Sequence, residues 1–487
     1  MLIANRETLS IIKMNILQKS ILFFVLIISY FYFFISSSGI NCSNDGSHMA
    51  LALSLKNEQS VVIEKYASIF DLEPDYAVKD SKIYSDRLPG NAFLINIILE
   101  YSDLFKWHLI KSFNDSTNYQ IVSAILLPNL CGTLGMLILF LTFFRVFKLS
   151  FTISIILMLI GGFCTLNAQE SIHLFSHAPS LLIITFAVYY CFIKRDHLKK
   201  RDLYLLVTLI GFSSCLELQN ILFLAPIMIY FLSFGPNSNS FKIVVNKWSM
   251  VISLLIILFF TTCLITYNYC AFGEIILKSN KYNPFFPEEK SFFTSLSGNP
   301  LIGLDNLFTS FRNLGSNWHW YRAVRNDTPG LFSSSPIYIF SCLGFIPLFK
   351  NNKKDALLLI SIIMISVLIA AFHKTTLVRH ISSIYLLLFI PIACFIKQAI
   401  GMKRERFWVS IFFIVFISVS IYSFLKIMYL TNHYWGRYFT FFEFPYLKYT
   451  YSFFILNFPF LLLIIRPILI DTKMITKAKN ALKRIFA

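Results

Sequence analysis

Apolar runs at or near membrane-span length recur along the whole chain, and they constrain its fold more than any other feature. A helix of about 20 apolar residues crosses the hydrocarbon core of a bilayer. Segments near 20–38, 119–144, 149–166, 176–193, 203–215, 219–234, 249–270, 335–349, 355–372, 379–397, 406–429 and 450–470 meet this pattern. Only 14% of the residues are charged, against about 25% in soluble domains. Most of the chain therefore has no water-facing side to cover. The expected class is an all-α integral membrane protein of about twelve transmembrane helices. The first run follows Arg6, Lys13 and Lys19 and lacks a small-residue cleavage site, so it reads as an uncleaved first span.

Charge placement orders these spans. The net charge of +18 would suggest nucleic acid in a soluble protein. Here the basic residues sit in short patches between apolar runs, the positive-inside pattern, so no nucleic-acid partner is expected. Arg145 and Lys148, then Lys194 to Arg201, then Lys242 and Lys247 mark the inner side. Lys350 to Lys354 and Lys397 to Arg406 continue the series. The short pair 203–215 and 219–234 must cross twice, because basic clusters lie on both flanks. Residues 39–118, 271–334 and about 430–449 then fall outside. The first of these is a long helical loop with 11 acidic against 7 basic residues, so no inner-side patch competes with its placement. Within it, Ala92 to Phe113 is amphipathic and suits the membrane interface. The tail from Lys473 reads as a basic helix on anionic lipid.

No nucleotide-binding glycine loop, metalloprotease helix or serine-hydrolase elbow occurs in a usable context. The candidate chemistry lies in polar residues just beyond the outer ends of spans. Asp45, in Asn44-Asp45-Gly46-Ser47-His48, has two roles open to it. It can be the N-cap of a helix from Ser47 to Lys56, or a partly desolvated general base. Tyr84-Ser85-Asp86-Arg87-Leu88-Pro89-Gly90 reads as a turn, a solvated loop with an Asp86–Arg87 surface pair. Glu217 lies between two short spans, at a depth where a carboxylate needs a polar cavity or a partner. His173 and His177 are four apart and would share a helix face, but no third metal ligand is near in sequence, and no metal is expected. Arg379 opens a span from the outside, with Lys374 just before it; such a cation either snorkels to headgroups or holds a phosphate.

In this order the segments resemble the GT-C class of membrane glycosyltransferases, in particular relatives of the protein O-mannosyltransferases and the lipid A aminoarabinose transferase. The similar stretches are Asn44-Asp45-Gly46, Tyr84 to Gly90, Leu174-Phe175-Ser176-His177-Ala178 and Leu216-Glu217-Leu218. Tyr267 to Gly273, Gly298-Asn299-Pro300 and Val378-Arg379-His380 follow. Two departures stand out. Many members carry an Asp-Glu pair, or an Asp with a Tyr three residues on, where this chain has Asp45, Gly46 and His48. The frequent Gly-Pro-Arg-Tyr is here Val378-Arg379-His380.

The resemblance implies a transferase that takes a sugar from a polyprenyl-phosphate carrier on the non-cytoplasmic side of a bacterial plasma membrane. The acceptor would be a lipid, glycan or protein, and no cofactor is implied beyond the lipid-linked sugar. It implies Asp45 as general base, with Asp86 the second acid. Arg379, then Arg87, would face the carrier phosphate; Lys374, His177 and Glu217 would line the substrate site. Residues 1–400 would form the catalytic module, and 401–487 further spans and the basic tail. Two other readings stay open. A lipid-linked sugar transporter needs a path through the bundle. An O-antigen polymerase or ligase would use external arginines such as Arg312, Arg322 and Arg325.

Overall fold

The computed structural model describes residues 14–434 apart from 38, 41, 71, 104–115, 196–197, 232–246, 278, 287–291, 309–329, 375 and 402–405. Eleven of the twelve expected spans fall on helices. The twelfth, the basic tail and Arg312, Arg322 and Arg325 lie outside the described residues. Among the described residues, six helices are long and apolar enough to cross a membrane: Ile16–Ser36 (α1), Tyr119–Val146, His177–Lys194, Lys247–Phe272, Lys353–Phe372 and Val378–Gly401. Phe151–Phe163 and Leu218–Phe231 are shorter apolar helices. The chain is a multi-pass membrane protein.

The bundle sorts its two ends by charge, as the alternation requires. Arg195 at the end of His177–Lys194 bonds Asp355 at 3.1 Å. Tyr230, near the end of Leu218–Phe231, donates to the same Asp355 at 2.6 Å, and the Lys354 ammonium lies 4.1 Å from the Tyr230 ring. Lys397 donates to the Phe147 carbonyl at 2.7 Å. The basic patches of four separate connections therefore meet at one end. Helix Lys200–Leu216 leaves that end and Leu218–Phe231 returns to it, so the short pair is a hairpin, with Glu217 at its tip. The Asn220 amide donates back to the Ser213 hydroxyl at 2.7 Å, which closes the turn.

Close helix contact depends on missing side chains. Ile339–Asn351 lies along Val378–Gly401, with the Tyr338 hydroxyl bonded to the Tyr385 carbonyl at 3.1 Å. A Cβ on Gly344 would stand 2.0 Å from the Pro391 carbonyl oxygen. Small residues at such crossings let backbones approach in a membrane, where no hydrophobic force drives helices together. Gly344→Val is expected to destabilise by about 2 kcal/mol or more through overpacking. The melting temperature of the detergent-purified protein checks this. Lys247–Phe272 exposes Trp248, Leu254, Leu255, Leu258 and Phe259, a face suited to acyl chains.

The first long loop is a layer whose small core is shared with Leu127, Cys131, Leu174 and Ala178 of the bundle. Helix α2, Ser43–Asn57, packs on α3, Pro89–Asp103, through Met49, Leu53, Ile95 and Leu99. Between them lies an antiparallel hairpin of β1, Tyr76–Lys79, and β2, Lys82–Ser85, with Ala77 opposite Tyr84. Asp80 and Ser81 both take positive φ, the geometry of a tight two-residue hairpin. The segment 84–90 is therefore not one turn. Tyr84 and Ser85 end a strand, and Pro89 opens a helix, where its missing N–H costs nothing. The β-hairpin qualifies the all-α expectation. Helix α3 exposes Phe93 and Ile97 one turn apart while burying Ala92, Ile95 and Leu99. It is thus docked on one face and apolar on the other.

Candidate functional site

At the end of the bundle away from the basic patches, residues from five connections converge. The helix at Asp45 starts earlier than the capping reading required. It begins at Ser43 with Cys42 at the cap, so Asp45 lies inside the first turn and is not the N-cap. The helix dipole favours a carboxylate there. Asp45 is fully buried, and its Oδ2 lies 3.9 Å from His173 Nδ1. Asn44, Ser47 and His48 are buried with it. The Ser47 hydroxyl meets the Ser85 hydroxyl at 2.7 Å, which ties α2 to the end of β2.

Asn91 and Asn129, with Ser37, hold the 167–176 connection against these groups. The Asn129 amide donates to the Ser171 carbonyl at 2.8 Å, and the Ser37 hydroxyl to the Ile172 carbonyl at 3.0 Å. The Asn91 amide donates to the Leu174 carbonyl at 2.8 Å. This pinning separates two histidines that the four-residue spacing would put on one helix face. His173 lies in a turn and faces Asp45. His177 begins the following helix, and its Nδ1 lies 2.6 Å from Glu217 Oε1. Phe175 sits between them, stacked on His173 at 5.3 Å and edge-on to His177 at 5.4 Å. The Arg379 guanidinium lies 5.9 Å from the Phe175 ring centroid. Gln219 links Glu217 to the Arg379 segment, reaching the His380 carbonyl at 3.3 Å.

Two members of this cluster carry no role in the sequence reading. Glu170 is 4% exposed, and its Oε2 has no hydrogen-bond partner among the described residues. Burial pushes its carboxyl above the usual range, against the opposing pull of His177, His173 and Arg379. The signal was present: like Glu217, it is a lone acid between short apolar spans. His48 is 1% exposed, and neither ring nitrogen has a hydrogen-bond partner among the described residues. Burial, then the nearby Arg87 and His177, push its pKa well below the ordinary 6.5. The folded chain thus binds fewer protons than the unfolded one. This contribution is whole above 6.5 and is lost as pH falls toward the depressed folded value. His48→Phe should therefore flatten the fall in melting temperature between about pH 7 and 5, measured in matched buffers.

Asp86 and Arg87 build a neighbouring network. Arg87 pairs with Asp75 and with Asp86, the latter at 3.1 Å. Asp86 Oδ2 accepts from the Asn283 amide at 2.8 Å, and its carbonyl from the Ser279 hydroxyl at 2.7 Å. Asp86 is 7% exposed, so the pair is an enclosed staple between the first and second external loops, not a solvated surface pair. The Ser43 hydroxyl donates to Asp75 at 2.6 Å, which joins this network to the start of α2. Lys374 is exposed, and its backbone N–H donates to the Ser295 carbonyl at 2.9 Å. It stands where the second loop meets the bundle. Chemically, the cluster offers a buried carboxylate beside an imidazole, the Arg379 guanidinium, and Arg87 already paired with Asp75 and Asp86.

No protein-family model and no curated protein matches the chain. Among solved structures, it is similar to ArnT from Cupriavidus metallidurans bound to undecaprenyl phosphate. The TM-score is 0.51 at 10% identity, covering 92% of this chain and 77% of that one. It also matches the oligosaccharyltransferase AglB from Archaeoglobus fulgidus, in complex with an inhibitory peptide and a dolichol-phosphate. There the TM-score is 0.45 at 12% identity, covering 85% of this chain and 56% of that one. The likeness to ArnT shows a shared membrane-protein fold.

Proposed function

We propose that this chain is a membrane glycosyltransferase that moves a sugar from a polyprenyl-phosphate carrier to an acceptor on the non-cytoplasmic side. One observation carries the reading. The fully buried Asp45 carboxylate faces His173, and the Arg379 guanidinium lies over Phe175, the ring stacked on that same His173. A base and an anion-binding cation thus share one end of a GT-C-like bundle.

Asp45 takes the proton from an acceptor hydroxyl or amine. The freed lone pair attacks the anomeric carbon as the bond from that carbon to the carrier phosphate oxygen breaks. The departing electron pair stays on the phosphate, and configuration inverts. Arg379 neutralises the developing charge, the electrostatic share of the catalysis. Arg87, held by Asp75 and Asp86, is the second cation. Glu217 fixes His177 at the substrate site, Asp86 holds the second loop over it, and Lys374 stands at its mouth. Residues 1–400 carry this chemistry, and 401–487 extend the membrane anchor. The membrane is a bacterial plasma membrane, as the polyprenyl carrier suits.

Deleting the protein is expected to remove one sugar from a surface glycan or lipid and to raise the pool of one polyprenyl-phosphate sugar. Mass spectrometry of both fractions reads this. Unchanged glycans and carriers would count against the transferase. Sidedness has its own test. Single cysteines replacing the exposed Asp80 and Lys281 should react with an impermeant maleimide in intact cells, above the wild-type background. Protection of both would invert the topology.

A further inference from the structure

We infer that His48 hydrogen-bonds the hydroxyls of the transferred sugar and helps this chain choose among sugars; this rests on the transferase reading above. Helix α2 places His48 three residues after Asp45, on the same side of the helix. The neighbouring polar groups are already engaged. Ser47 meets Ser85, Asp45 faces His173, and His177 is held by Glu217. His48 is enclosed, yet neither of its ring nitrogens has a hydrogen-bond partner among the described residues. Buried polar groups are almost always satisfied, and an exception calls for a cause.

The ring's chemistry selects the ligand. Burial and the nearby Arg87 and His177 keep the imidazole neutral at physiological pH. A neutral imidazole has one donor and one acceptor. A phosphate diester offers acceptors alone and would leave one nitrogen unmatched. Sugar hydroxyls donate and accept, so a pair of them satisfies both nitrogens. The phosphate has Arg379 available, whereas Arg87 is already paired with Asp75 and Asp86. The walls close on the ring, so the sugar reaches it by displacing one. Arg87, 27% exposed and paired with Asp75 and Asp86, is the cation whose charge reaches the ring.

The test compares full-length wild type, His48→Phe and His48→Gln. Phe keeps the ring volume and removes both unmade hydrogen bonds. A purely structural His48 therefore predicts a Phe variant that is at least as stable and fully active. The sugar assignment predicts a stable Phe variant with transfer lowered on the order of tenfold or more, read as glycan product per protein in cells. Gln, which can both donate and accept, should restore part of it. Thermal shift with undecaprenyl phosphate, which carries no sugar, should be equal in all three. Wild-type transfer by His48→Phe overturns the proposal. Loss of the undecaprenyl phosphate shift in His48→Phe also overturns it, and makes His48 a phosphate ligand. If the wild type shows no such shift and makes no product, the carrier reading falls and takes this assignment with it.

Discussion

Asp45→Asn is expected to lower turnover by about 10²–10⁴-fold, the usual share of a general base, while the protein folds and still binds the carrier. Asn keeps the shape of Asp and loses its negative charge, and with it the proton acceptor. The geometry sharpens the contrast with a structural role. Cys42, not Asp45, holds the cap position. A structural Asp45 would contribute its favourable dipole position, about 0.3–1 kcal/mol, and its buried contact with His173, so the Asn variant would lose stability yet be nearly fully active. A 10²–10⁴-fold drop corresponds to about 2.7–5.5 kcal/mol of barrier. Turnover and melting temperature, measured on one preparation, separate the two roles.

Arg379→Ala is expected to lower turnover by about 10²–10³-fold, the range for removing one preorganised donor from a developing anion. Arg379→Lys should recover only part. Lysine keeps the charge but lacks the planar fork that meets two phosphate oxygens, and it stacks less well on Phe175. The loss should appear in carrier affinity as well as in rate. Equal undecaprenyl phosphate thermal shifts for wild type, Lys and Ala variants would remove Arg379 from the carrier site. Arg87 would then take its place.

The membrane architecture was legible because its cause is local. A span needs only enough apolar residues, and basic residues mark the end that stays inside. The hairpin tip at Glu217 followed from charges on both flanks, before any contact was known. The loops were less legible. The β-hairpin at 76–85 lacks the usual Asn-Gly turn and uses Asp80 and Ser81 instead. The start of α2 was misplaced because Asn44, Asp45, Ser47 and His48 read as a polar, solvated stretch. They are buried because α3 and the 167–176 connection cover them. Asp86 looked like half of a surface pair, since its partner Asn283 is 197 residues distant in sequence. His173 and His177 were read as one helix face. The bonds from Ser37, Asn91 and Asn129 that hold the intervening turn carry no periodic signal. Glu170 was missed although it obeys the same logic as Glu217.

If Asp45 drives the transfer of sugar from a polyprenyl-phosphate carrier, its loss must leave that carrier loaded. The most direct measurement is the lipid-linked sugar pool of cells that lack the native protein and carry either the wild type or Asp45→Asn at matched membrane levels. Mass spectrometry of the extracted carriers should show one polyprenyl-phosphate sugar depleted by the wild type and accumulated with Asp45→Asn. The corresponding glycan should be present only with the wild type. Identical carrier pools and identical glycans in the two strains would contradict the claim.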